Sequence, residues 1–154
     1  MTTTQLSAPR NALELLAMSA DDLDDLYRDS SIGEIPRGKG VGTAVLVPSQ
    51  KIGQLLAKLT ALVAWQGKVI DDDGRHLVNL VTPLRLRAIR AGLYRADSWL
   101  DSNPCIVIDY STTSLCARWV RDEIREVGPG LFLGLVYLRK RRLPVRFVLD
   151  FRGE

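Results

Sequence analysis

The second half of the chain is a succession of short runs of alternating polarity, each closed by a turn signal. "KVI" and "RHLVNLV" stand either side of "DDDG", where Asp73-Gly74 is a hairpin signal. "CIVIDY" follows the turn "DSNP", and "LFLGLVYL" and "LPVRFVLDF" flank a basic turn. In the last run Leu143, Val145, Phe147, Leu149 and Phe151 share one parity, and Arg146, Asp150 and Arg152 the other. That pattern predicts a strand buried on one face and solvated on the other. "LRLRAIRAGLY" also alternates, but its phase slips near Ala88 and Ile89, as a β-bulge would make it. With "TAVLVP" as an earlier strand, so many short strands in 154 residues predict an α+β fold. Its body is a strongly bent antiparallel sheet or a closed β-barrel.

The first half supplies two or three accessory helices. "NALELLAM" reads as one short helix. Ser19 reads as the N-cap of a second, with Asp21 and Asp22 in its first turn, where carboxylates favour the helix dipole. The cluster Asp21, Asp22, Asp24 and Asp25 lacks the alternating acidic pattern and glycine of a calcium loop. Ser49 caps a third helix, in which Ile52, Leu55, Leu56, Leu59, Leu62 and Val63 form one apolar stripe. Residues 1–7 read as a frayed tail and residues 8–154 as one domain. "GEIPRGKGVG" is not a phosphate loop, because Lys39 is followed by Gly40 rather than Ser or Thr; its glycines mark bends.

Charge and thiol content narrow the function classes. A net charge of +3 does not call for nucleic acid as a partner. Cys105 and Cys116 lack metal-ligand spacing and stand in apolar surroundings, so they read as core thiols of a cytoplasmic protein. His76 is the only histidine, next to a turn, and reads as a surface residue. No metal or other cofactor is called for.

The stretch "RWVRDEIREVGPG", Arg118 to Gly130, is highly charged between apolar flanks. On a helix Val120, Ile124 and Val127 share a face, and Arg118, Asp122 and Arg125 form an ion-pair ladder beside it. Gly128-Pro129-Gly130 would then stop that helix. The alternative turns Asp122 or Glu123 inward beside Asp109 and Tyr110, where a desolvated carboxylate could serve as a general acid or base.

The order "GEIPRGKGVG", "WQGK", "NPCIVIDYS" and "FLGLVYLRKRRLPVRFVLDF", spanning Gly33 to Phe151, resembles the uncharacterised bacterial GxWxG-containing proteins. Trp65 and Gly67 match their motif, while Val63 stands where its first glycine would be. The resemblance implies a lipocalin-like barrel, with Trp65 plugging its closed end and a cavity for a small apolar ligand. It carries over no catalytic residue.

Three functions are therefore expected to compete. The first is binding or carrying a small apolar or amphipathic molecule, such as a fatty acid, terpenoid or polyketide. Trp65, Trp99 and Trp119 would form its apolar wall, and Tyr110, Arg118 and Arg121 its polar end. Small residues such as Ala88, Ala91, Gly92 and Gly134 would leave room inside the barrel, or let a helix pack closely. The second is a small isomerase, cyclase or hydrolase using Asp109, Asp122 or Glu123 as acid or base. The third is an interaction module in which Arg139, Lys140, Arg141 and Arg142 contact an anionic membrane surface or a protein partner.

Overall fold

The computed structural model of the chain describes residues 11–46, 64–82, 90–112 and 118–152. Among them, eight strands close into an antiparallel barrel in chain order. These are β1 Gly38–Leu46, β2 Ala64–Ile70, β3 His76–Thr82, β4 Arg90–Asp97, β5 Pro104–Asp109, β6 Val120–Gly128, β7 Leu131–Leu138 and β8 Arg141–Asp150. The barrel closes where β8 pairs with β1, with Val41 opposite Asp150 and Leu46 opposite Val145. Two helices accompany it, α1 Ala12–Leu16 and α2 Ala20–Asp29. The expected helix after Ser49, the phase slip at Ala88 and Ile89, and Cys116 lie outside the described residues.

Turn chemistry sets the register. Gly74 adopts φ 66° in the β2–β3 hairpin, as the Asp-Gly signal predicts. The β7–β8 hairpin has a two-residue turn, because Leu138 pairs with Arg141. Both turn residues, Arg139 and Lys140, take positive φ, at 50° and 67°. This is a turn that ordinarily selects Asn-Gly, and side chains there are strained.

The barrel wall has two cores, one on each side. Ile70, Leu77, Leu93, Ile106, Ile108, Ile124, Phe132, Phe147 and Leu149 form one buried cluster on the inner side. On the outside, Leu131, Leu133, Leu135, Tyr137 and Val148 pack with Leu15 of α1 and with Leu23, Leu26 and Tyr27 of α2. Burying each large aliphatic side chain is worth about 1.5–3 kcal/mol, so the apolar outer stripe of β7 and β8 needs the helices as a cover. Asn11 and Ser19 cap them, accepting from the Glu14 and Asp22 backbone amides at 3.0 and 3.1 Å. Asp24 then clasps α2 to the barrel. Both Arg142 and Arg146 of β8 donate to its carboxylate, Arg146 Nη2 at 2.7 Å.

Three expectations are corrected. Arg118–Gly130 is not a helix: residues 120–128 form β6, and Pro129-Gly130 turns the chain into β7. β8 is solvated on its second face only toward its end, at Asp150 and on to Arg152, because Arg146 and Val148 are buried beneath the helices. The bends expected in "GEIPRGKGVG" hold at Gly33 and Gly38, with φ 71° and 80°, but Gly38–Gly42 already belongs to β1. Gly40 lies in that strand under the Phe151 ring, where a Cβ would meet Cζ at 2.6 Å.

Candidate functional site

Strand alternation sends every second residue into the lumen. On β6 that face carries Val120, Asp122 and Ile124, and on β5 it carries Ile106 and Ile108, with Tyr110 following at the strand's end. On β2 it carries Lys68 and Ile70. Asp122 stands opposite Ile108 on one side and Val136 on the other.

Three polar side chains thus meet inside an apolar barrel. Lys68 Nζ donates to Tyr110 Oη at 2.8 Å and to Asp122 Oδ2 at 3.3 Å. Tyr110 Oη donates to the same carboxylate oxygen at 3.0 Å. Lys68 Nζ also lies 5.3 Å from the centre of the Phe147 ring, a cation–π distance. All three residues are buried. Phe147 occupies the space that Gly134 leaves, so this glycine makes room for an aromatic ring rather than for a void.

Burial acts on the two charged groups in opposite senses. Desolvation raises the Asp122 pKa above its usual 3.8, against the pull of Lys68 and Tyr110. Desolvation lowers that of Lys68 below 10.5, against the Asp122 charge. Each group is moved toward its neutral form. A protonated Asp122 would present a donor, and Lys68 and Tyr110 two more hydrogen-bonding groups, to a carbonyl, hydroxyl or carboxylate.

The expected site residues divide sharply. Tyr110 and Asp122 face the lumen together. Glu123 faces outward, fully buried in the wall between α2 and the β4–β5 hairpin. It accepts from Ser98 Oγ at 2.6 Å, the Trp99 backbone amide at 2.8 Å, Tyr27 Oη at 3.4 Å and Arg121 Nη2 at 3.0 Å. Those donors make it a strut rather than a lumen acid. Arg121 is also outside, held by Glu123 and the Asp97 carbonyl, with its guanidinium 4.1 Å from the Trp99 ring centre. Asp109 faces outward and accepts from Tyr94 Oη at 3.0 Å and the Ser111 amide at 2.8 Å. Desolvation, the strongest influence on its carboxyl, pushes the pKa up, but these bonds and Arg121 hold it below the usual value.

Trp99, Arg118 and Trp119 are exposed. Trp99 packs edge-on against Tyr137, ring centres 5.3 Å apart, beside an open surface cleft of about 600 Å³ that Ser98, Ser102 and Lys140 also line. Trp65 lies in β2 opposite Val81, where the pairing shifts register before Gly67; its expected role falls outside the described side chains. Among the basic quartet, Arg142 is tied to Asp24, while Arg139, Lys140 and Arg141 are exposed. The proposed ladder does not exist: Arg125 is buried and makes a two-point contact with Asp101, both N···O distances 2.7 Å. Cys105 is a core thiol, and burial pushes its pKa up to about 12. His76 is exposed, with Nδ1 2.9 Å from Asp73.

Lys68 was missed. Its signal was parity: in "WQGKVI" it shares a strand face with Ile70, and a lysine on the face of a core isoleucine points inward.

The whole architecture has a counterpart among solved structures. The crystal structure of a protein from Thermomonospora curvata superposes on this chain with a TM-score of 0.60, covering 88% of this chain and 89% of that one. Sequence identity is 16%, so the likeness is one of fold. No protein-family model matches the chain, and no curated protein resembles it significantly in sequence.

Proposed function

We propose that the barrel binds a small amphipathic molecule, its apolar body in the lumen and its polar head on Lys68, Tyr110 and Asp122. The observation that carries this reading is the cluster itself. A buried ion pair is commonly no better for stability than apolar residues of the same size, by a margin of about 1–4 kcal/mol. A polar cluster set among the apolar side chains of the described lumen is therefore better accounted for by something it orients than by the fold it supports. The ligand class follows from the chemistry: one carbonyl, hydroxyl or carboxylate head on an apolar chain or ring system, as in a fatty acid, terpenoid or polyketide. Resemblance to the GxWxG-containing proteins points the same way, toward a lipocalin-like carrier.

Thermal shift and intrinsic tryptophan fluorescence test this with ligands of one chain length and different heads. A carboxylic acid or aldehyde should bind saturably and raise the melting temperature, the matching alkane should not, and Lys68→Met should abolish the difference. Equal responses to acid and alkane, or none to either, would overturn the reading. The raised pKa of Asp122 supports a second reading, in which the same seat performs acid–base chemistry on the ligand as an isomerase or cyclase does. Turnover of a bound ligand that stops in Asp122→Asn while binding persists would establish it.

A further inference from the structure

The basic hairpin lies at the end of the barrel where β5 runs toward β6 and β7 turns into β8. Backbone pairing holds the two connections together: the Arg139 amide donates to the Trp119 carbonyl at 3.0 Å. Trp119 is 44% exposed and Leu138 39%. The guanidinium carbons of Arg118 and Arg139 lie 4.1 and 4.4 Å from the Trp119 ring centre. Lys140 and Arg141 complete an exposed group of four cations around two exposed apolar side chains. Among the described residues, none of these four cations is ion-paired, whereas Arg121, Arg125, Arg142 and Arg146 all are.

Stability alone does not account for this tip. Arg139 and Lys140 occupy left-handed positions that Asn-Gly would fill without strain. We propose that this end of the barrel docks on an anionic membrane surface, with Trp119 and Leu138 entering the headgroup layer and Arg118, Arg139, Lys140 and Arg141 on the lipid phosphates. A tryptophan and a leucine ringed by cations suit the interface, where an amphipathic ring and basic side chains are both favoured. Nucleic acid would instead call for several aromatic platforms along a basic groove. Tyr110 follows the end of β5 and Asp122 lies near the start of β6, so the lumen cluster sits toward the same end of the barrel.

The test is sedimentation of the full chain with phosphatidylcholine vesicles, with and without about 30% phosphatidylglycerol, at about 0.15 M salt. Binding should require the anionic lipid. Each basic residue removed should weaken it about fivefold, so Arg139→Asn with Lys140→Gly should weaken it about 25-fold. This double variant relieves the turn and should melt higher than wild type, which separates lost docking from lost folding. Brominated lipid should quench tryptophan emission in wild type and much less in Trp119→Phe. Equal sedimentation with neutral and anionic vesicles, or undiminished binding by the double variant, would overturn the proposal. So would a single-stranded oligonucleotide that binds more tightly than the vesicles through the same four cations. None of these readouts depends on a ligand in the lumen, so docking and ligand binding stand or fall separately.

Discussion

Lys68→Met removes the cation paired with Asp122 and leaves that carboxylate among buried apolar side chains. Tyr110 Oη still donates to Asp122, but the charge that offsets its desolvation is gone. Removing one partner of a buried ion pair costs about 3–5 kcal/mol. In a domain of this size, each kcal/mol lowers the melting temperature by about 2–4 °C, so the loss should be about 6–20 °C. Asp122→Leu alone should fall in the same range. Lys68→Met, Tyr110→Phe and Asp122→Leu together remove the three described members of the cluster and should restore wild-type stability or exceed it by about 1–4 kcal/mol. Urea unfolding at neutral pH, read by circular dichroism, gives all four values.

The pH dependence carries the same logic with defined signs. The folded pKa of Asp122 is raised, so its contribution is full below the unfolded value of 3.8 and is lost as pH rises through the folded value. The folded pKa of Lys68 is lowered, so stability rises with pH from that folded value toward 10.5. Wild-type stability relative to the triple variant should therefore fall and then rise across the pH range. A triple variant less stable than either single variant would refute the reasoning, because the cluster would then be a structural brace.

Three further outcomes follow from single contacts. Gly134→Ala pushes a methyl into the Phe147 ring and should cost about 1–3 kcal/mol in urea unfolding, most of it regained in Gly134→Ala with Phe147→Leu. Hydrogen bonding to Arg125 holds the Asp101 pKa down to about 2, so its contribution is present above the unfolded value and lost as pH falls from about 4 to 2. The stability difference between wild type and Asp101→Asn should shrink across that window. Arg142→Gln should loosen α2 and lower the melting temperature by a few degrees, since Arg146 still holds Asp24, while leaving vesicle sedimentation unchanged.

The strands and their turns were legible because each turn needs its own residues and each half-buried strand its own alternation. Asp73-Gly74, "CIVIDY" and "LFLGLVYL" all appear in the fold as the sequence predicts. β6 was illegible for a physical reason. Its inner face carries Asp122 between Val120 and Ile124, and its outer face carries Arg121, Glu123 and Arg125 under α2 and the β4–β5 hairpin. Both faces are charged and both are buried, so no alternation of polarity survives, and a spurious helical stripe takes its place. The same cover explains β8, where Val148 was the one outward residue that signalled a second layer. The site was half visible. Tyr110 was legible at the end of "CIVIDY", and Asp122 beside it only in the second reading of the charged stretch, but their partner Lys68 lies in a strand more than 40 residues away, and only barrel closure brings it to them.

Native mass spectrometry of wild-type protein and the Lys68, Tyr110 and Asp122 triple variant, purified side by side without denaturation, tests the central claim most directly. The account predicts that wild type carries a small amphipathic molecule and that the equally stable variant does not. Two bare proteins, or the same molecule at the same occupancy in both, would contradict it.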